Sequence, residues 1–105
     1  MGCFRHRVYA AGAIAALLLL VPPFGAAQEQ SARATAAACA TCHGTRGMSN
    51  TAIPSLAGRD ADELYRLLNE FKTDQRPGTV MNQHAKAYSD PELRQLADYF
   101  AAQQP

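Results

Sequence analysis

The sequence predicts an all-α domain with three main helices joined by long loops. Two segments, residues 60–72 and 89–103, repeat apolar side chains at helical spacing. A third, residues 31–43, is rich in alanine, the strongest helix former. No segment sustains the apolar–polar alternation that is typical of a β-strand. Helices are therefore the only regular elements that the pattern favours.

The first 27 residues have the pattern of a secretory leader. Two arginines precede an apolar stretch at 8–21, and small residues at 25–27 fit a cleavage site. The apolar stretch, about 14 residues long, falls short of the roughly 20 that span a bilayer, which disfavours a retained anchor. Cys3 precedes this stretch, whereas a lipid-modified bacterial cysteine would follow it. We therefore predict a cleaved signal peptide at 1–27, export to the periplasm and no membrane insertion afterwards.

The remaining segment, residues 28–105, is one small domain of nearly neutral charge. Of the 10 Lys and Arg residues, two leave with the leader, so 8 remain against 9 Asp and Glu. No basic patch indicates nucleic acid as a partner. A domain of this size buries only somewhat over about 60% of its surface, so its core needs a disulfide, a metal or a cofactor. A bridge between Cys39 and Cys42 would close too small a loop to stabilise it much.

The first helix is predicted over residues 31–43. Ser31 is a plausible N-cap, and Gly44 lies just past the end, where a left-handed residue is least costly. The small alanine side chains would let another helix approach closely. An alanine-rich linker remains the alternative, because the segment has little amphipathic contrast.

The second helix is predicted over residues 60–72, after a loop at 45–58 that is rich in helix breakers. Asp60 and Glu63 have capping-box spacing. The apolar positions i, i+3, i+4 and i+7 are Leu64, Leu67, Leu68 and Phe71. This is the clearest amphipathic pattern in the middle of the chain.

The last helix is predicted over residues 89–103, after a second loop at 73–83 that contains a Pro-Gly turn. Ser89 and Glu92 form a capping-box pattern. Its apolar face consists of Leu93, Leu96, Ala97 and Phe100. A short helix at 82–88 is only weakly indicated. Loops of this length in so small a domain are explained if they surround a large group.

The motif that carries chemistry is Cys-Ala-Thr-Cys-His, from Cys39 to His43. A structural zinc site needs four protein ligands, and only one further candidate, His84, lies outside the leader. A thioredoxin-like pair needs a βαβ unit, which the sequence does not predict. C-x-x-C-H is the attachment signature of c-type haem, because cysteines three apart on a helical turn face the same way. We therefore predict one covalent haem c, with thioethers at Cys39 and Cys42 and iron ligation by His43.

The loop after His43 contains a candidate partner for its ring. A metal-bound histidine normally donates its second ring N–H to an acceptor. Pro54 lies 11 residues further on, in a loop that must pass close to the cofactor, and its backbone carbonyl could accept this bond. On spacing alone, an ordinary turn proline remains the alternative.

The second axial ligand decides between electron transfer and catalysis. Met48 is too close to His43 for the chain to carry it around the ring. Met81 lies in the predicted second loop and is the preferred ligand, while His84 and an open coordination site remain alternatives.

The chain resembles the class I cytochromes c, most closely the monohaem cytochrome subunit of flavocytochrome c sulfide dehydrogenases. The resemblance runs over about residues 37–103 and rests on CATCHGTRG, IPSLAG, LYRLLNEFKTDQRPGTVM and AKAYSDPELRQLADYFAAQ. It implies thioethers at the two cysteines, axial His43 and Met81, and the carbonyl role for Pro54. Asn82 stands where a glycine is common, and His84 where an aliphatic residue is expected.

The resemblance also implies a function. The chain would be an electron-transfer subunit that is not catalytic by itself, and it would accept electrons from a sulfide-oxidising flavoprotein that contains FAD. The chain has no G-x-G-x-x-G motif, so the flavin would belong to another polypeptide. A free electron carrier that serves another redox protein is the alternative, and a five-coordinate gas sensor or peroxidase-like protein is the less favoured one.

Overall fold

The computed structural model describes residues 23–105, and within that range it is all-helical. The elements are helix α1 (Phe24–His43), a 3₁₀ turn (Thr45–Gly47) and helices α2 (Ala61–Lys72), α3 (Met81–Lys86) and α4 (Asp90–Ala101). No strand occurs between residues 23 and 105, which confirms the predicted fold class. The predicted leader falls largely outside the described residues, and its cleavage stays a prediction.

Helix α1 begins earlier than the sequence pattern predicted. It starts at Phe24 after Pro23, so the assignment of Ser31 as its N-cap is wrong. The carbonyl of Ser31 instead accepts a bond from the Thr35 hydroxyl, 3.1 Å away, within the helix. The residues between 24 and 30 are mostly alanine, glutamine and glutamate, which extend a helix readily. The end is as predicted: Gly44 follows His43 with φ of +81°.

Helix α2 has the predicted bounds but only half of the predicted capping box. The Asp60 carboxylate accepts a bond from the Glu63 N–H at 2.8 Å. The Glu63 carboxylate does not return to Asp60; it pairs with Arg59 at 2.7 Å. The guanidinium offers a charged donor one turn away, which is a stronger partner than a backbone N–H.

Helix α3 corrects the prediction for the second loop. Met81, which the sequence placed in that loop, is the first residue of this six-residue helix. Helix α4 follows closely, and its start is capped as predicted. The backbone N–H and the hydroxyl of Ser89 both donate to Glu92, at 2.7 and 2.8 Å.

The core lies where α4 packs against α1 and α2. Its buried residues are Ala36, Leu64, Leu93, Leu96, Ala97 and Phe100. Tyr99 and Phe100 meet edge to face, with ring centroids 5.2 Å apart. The alanines of α1 allow this close packing, as the sequence predicted. Within residues 23–105, no helix is both long enough and apolar enough to cross a bilayer.

Candidate haem site

A cavity of about 570 Å³ opens beside this core. Its volume lies within the range of about 300–1,000 Å³ that is typical of cofactor and ligand sites. The wall is mainly apolar and includes Ile53, Leu56, Leu64, Leu67, Leu68, Phe71, Val80, Leu96 and Phe100. Such a wall excludes water from whatever fills the space.

Both cysteines of the CATCH motif border this cavity from the last turns of α1. Cys39 is half-buried and Cys42 is exposed, and both thiols are free. Burial raises the pKa of the Cys39 thiol, which keeps it in the neutral form. Addition of a free thiol across a vinyl group gives a thioether. Cys39 and Cys42 are both free, so they could attach a cofactor that carries two vinyl groups.

His43 ends α1 and also lines the cavity. It is buried, with 8% of its surface exposed, and its Nδ1 lies 2.7 Å from the carbonyl oxygen of Pro54. A carbonyl can only accept, so Nδ1 must carry the hydrogen. This leaves the lone pair of Nε2 available for a metal.

The loop that carries Pro54 is tied back to the end of α1. The carbonyl of Gly47 accepts bonds from the backbone N–H groups of Leu56 and Ala57, at 2.8 and 3.1 Å. The Ser55 hydroxyl accepts from the Ser49 N–H at 2.8 Å. These contacts fix the position of the Pro54 carbonyl relative to His43.

Of the three candidates for the second axial ligand, two lie at the cavity. Met81 and His84 both line it from α3, one turn apart. Met81 is half-buried and His84 is exposed. Met48 is not among the lining residues of the described chain.

Three arginines at the cavity were not predicted from the sequence. Arg59, Arg66 and Arg76 line it, together with a single carboxylate, Glu63. Arg76 and Arg66 also bind Glu70, and their hydrogen bonds lower the pKa of that carboxyl. Because Arg59 pairs with Glu63 and the other two share Glu70, one positive charge remains in excess, which suits a ligand that carries a carboxylate. No local motif marks these positions, because they meet only in the folded chain.

The donor set fits a c-type haem better than a zinc ion. Between residues 23 and 105, no three His, Cys, Asp or Glu side chains cluster so that they could hold a metal ion. Two thiols, an imidazole with a free Nε2 and a methionine instead surround an apolar cavity with cationic side chains at its wall. Groups of these kinds could attach a porphyrin covalently, ligate its iron and pair with its carboxylates.

Comparison with known proteins is consistent with this chemistry. Residues 26–100 match the family model described as cytochrome c oxidase, cbb3-type, subunit III. The chain belongs to the cytochrome c family. It is thus an electron-transfer protein of a family that carries haem c, and the predicted family is confirmed.

Three relatives of this cytochrome are named after sulfide or thiosulfate dehydrogenases. The cytochrome subunit of sulfide dehydrogenase from Chlorobaculum tepidum is 44% identical over 62 residues, which is 59% of this chain and 56% of the relative. The thiosulfate dehydrogenase electron acceptor of Stutzerimonas stutzeri is 39% identical over 60% of this chain and 31% of its own length. The protein of the same name from Thiomonas intermedia is 36% identical over 95% of this chain and 45% of its own length. The alignments thus span about half of these relatives or less.

Proposed function

We propose that this cytochrome is exported to the periplasm, binds a single haem c, and accepts electrons from a sulfide-oxidising flavoprotein as its cytochrome subunit. Cys39 and Cys42 hold the cofactor covalently, and His43 and Met81 are its axial ligands. The observation that carries the proposal is the convergence of these four side chains on one apolar cavity. The name of the relative from C. tepidum supports the choice of partner.

The residues at the cavity define what the site can do. Haem c supplies a one-electron couple between ferric and ferrous iron when it is bound there. The Pro54 carbonyl fixes the His43 tautomer, and Met81 offers a soft neutral sulfur that favours the ferrous state and so raises the potential. With both side chains engaged, no coordination position is left for a substrate. The protein therefore transfers electrons and is not an enzyme by itself.

Two exposed apolar side chains at the cavity indicate how the partner docks. Ile53 and Val80 line the cavity and remain 40% and 54% exposed. The nearly neutral charge of residues 28–105 provides no strong field that would steer a partner from a distance. Docking thus depends on apolar contact, which suits a permanent subunit better than a diffusing carrier.

A second candidate function is supported by the longest of these alignments. The thiosulfate dehydrogenase electron acceptor of T. intermedia aligns with 95% of this chain. A free carrier that receives electrons from such an enzyme would use the same ligands, but it would bind its partner only briefly.

Co-expression with a candidate FAD-containing flavoprotein separates the two functions. A subunit should co-elute with the flavoprotein on gel filtration, and its sulfide-dependent haem reduction should change little with ionic strength. Val80→Asp should weaken the complex, whereas Ser31→Asp adds the same charge away from the cavity and should leave it intact. Haem reduction only in brief, strongly salt-dependent encounters, with no complex on gel filtration, would make the protein a free carrier.

Substitution of Met81 tests the ligand set. Met81→Ala should abolish the near-infrared methionine-to-iron charge-transfer band of the oxidised protein and let the reduced protein bind carbon monoxide. Met48→Ala is the matched control and should do neither. Because His84 shares the cavity, the double variant Met81→Ala/His84→Ala gives the clearest carbon monoxide binding. A wild-type protein without the charge-transfer band would exclude Met81: it would favour the five-coordinate alternative if it bound carbon monoxide, and His84 if its spectrum changed in His84→Ala.

A further inference from the structure

The side-chain amide of Asn82, the residue after Met81, binds the end of α2 and the segment at 73–80 that joins α2 to α3. The Nδ2 atom of Asn82 lies 3.1 Å from the carbonyl oxygen of Phe71 and 2.9 Å from that of Arg76. It also lies 3.2 Å from Oδ1 of Asp74. All three partners are oxygens without a hydrogen to give, so the amide must present its NH₂ group to them.

A second contact joins the same segment to α3 one turn further along. Lys86 Nζ lies 2.8 and 2.6 Å from the two carboxylate oxygens of Asp74. Asp74 has a left-handed backbone, with φ of +59°, which costs a non-glycine residue free energy. The bonds from Asn82 and Lys86 offset this cost and hold the turn in place.

The segment also packs tightly against Asn82. A Cβ atom added to Gly78 would lie 2.9 Å from Asn82 Oδ1 and 2.9 Å from Phe71 Cε1. Arg76 is fixed as well: its Nε lies 3.0 Å from Glu70, and its guanidinium lies 5.8 Å from the centroid of the Phe71 ring. Residues 73–80 therefore have little freedom to move independently of α2 and α3.

We infer that Asn82 is the positioning residue that holds this segment at the cavity and keeps Met81 in place as an axial ligand. The inference rests on the proposed role of Met81. Arg76, Val80 and Met81 line the cavity, so the segment forms part of its wall. When the hydrogen bonds donated by the two amide N–H groups of Asn82 are lost, conformers in which Met81 has left the iron become more populated. An added ligand gains apparent affinity in proportion to that population.

The test is imidazole binding to the oxidised protein, at a temperature where far-UV circular dichroism shows every variant to be folded. Asn82→Ala should bind imidazole about tenfold more tightly or better, because the two N–H donors that the amide shares among three oxygens are lost. Asn82→Asp keeps the size of the side chain but places a carboxylate against three oxygens, so its effect should be at least as large. The methionine band should weaken in both variants. Gln83→Ala, an exposed neighbour on the same helix, should match the wild type.

The outcomes separate this inference from the proposed function. A wild-type protein that lacks the methionine band would show that Met81 is not the ligand, and both proposals would fail. A wild-type protein with the band, together with Asn82→Asp that binds imidazole as weakly as the wild type, would overturn the positioning role alone.

A second variant covers the case in which the Asn82 variants do not accumulate. Asp74→Gly removes the carboxylate that accepts hydrogen bonds from both Asn82 and Lys86. Glycine also suits the left-handed backbone at this position. The imidazole affinity of this variant should rise several-fold. An affinity equal to that of the wild type would overturn the inference.

Discussion

Gly47→Ala is expected to destabilise the protein strongly, because two separate costs coincide at this residue. Gly47 has φ of +78°, in the region that disfavours a side chain. An added Cβ atom would lie 2.7 Å from Cδ1 of Phe100 and 3.1 Å from the Cβ of Leu56. Phe100 is only 3% exposed, so its ring has little room to move away.

The expected loss of stability in Gly47→Ala is the sum of these two costs, and a control variant separates them. The left-handed backbone costs about 1–2 kcal/mol, and overpacking of a core costs about 1–3 kcal/mol. Gly47→Ala should therefore lower the free energy of unfolding by about 2–5 kcal/mol, a large share of the roughly 5–15 kcal/mol that domains possess. Gly58 has a similar φ of +71°, but its nearest neighbour is the ring of the exposed Pro105, at 3.1 Å. That ring can shift, so Gly58→Ala should cost only the backbone part, about 1–2 kcal/mol.

The assay is denaturant unfolding of the oxidised holoprotein, followed by far-UV circular dichroism. Gly47→Ala should lower the midpoint more than Gly58→Ala, with similar slopes for the two variants. The carbonyl of Gly47 also holds the loop that presents Pro54 to His43, so the same variant should shift the reduction potential. Equal losses of stability in the two variants would refute the packing argument.

Two further predictions concern the stability of the domain. The double variant Cys39→Ala/Cys42→Ala should not accumulate as folded protein, because a core this small lacks a substitute for the covalent cofactor; a stably helical, haem-free double variant would contradict this. The pKa of Glu92 is lowered, chiefly because its carboxylate accepts the Ser89 N–H. The resulting stabilisation is complete above the ordinary value of 4.5 and is lost as the pH falls through the lowered value. Glu92→Gln should therefore be less stable than the wild type near pH 7 and approach it as the pH falls below the lowered pKa of Glu92, as measured by denaturant unfolding; a gap that does not depend on pH would count against the linkage.

Helices with strong local signals were predicted well from the sequence. Helix α2 has four apolar residues at helical spacing and an acidic cap at Asp60, and helix α4 has the Ser89–Glu92 pair. Both signals act within one or two turns of the chain, so they do not depend on the rest of the fold. The position of α1 before Gly44 was predicted for the same reason, while its start was missed because residues 24–27 were assigned to the leader and Ser31 resembled an N-cap.

Features that depend on distant contacts were indicated only weakly, as the short helix at 82–88 was, or were missed. Helix α3 has six residues and follows a Pro-Gly turn, and it is held by the bonds from Asn82 and Lys86 to the preceding segment. Periodicity does not detect so short an element. The arginines at the cavity are ordinary helix and loop residues in the sequence, and only the meeting of α2 with the 73–80 segment brings them to one wall.

The apolar face of α2 shows why a helical pattern alone does not separate a core from a cofactor site. Leu64 is buried against α4, but Leu67, Leu68 and Phe71 are only half-buried and line the cavity. All four have the same spacing in the sequence. One residue of this face is therefore buried by protein, and the other three leave apolar surface for a ligand that is itself apolar.

The core and the cavity wall are built from the same residues, which couples folding to cofactor binding. Leu64, Leu96, Ala97 and Phe100 belong to the buried core and also line the cavity. Among residues 23–105, only Leu93 and Leu96 are large side chains with less than 2% exposure, so the protein part of the core is small. A ligand in the cavity would bury the exposed surface of Leu67, Leu68 and Phe71 on α2. Such burial stabilises the folded state by about 25 cal/mol per Å² of apolar surface. A ligand that binds the folded chain but not the unfolded chain stabilises the folded state. A covalent cofactor cannot dissociate, so its stabilisation of the folded state is permanent. A haem attached through the CATCH motif at the end of α1, as proposed, would therefore have two inseparable roles: it would be the redox group, and it would complete the core that the chain cannot supply alone.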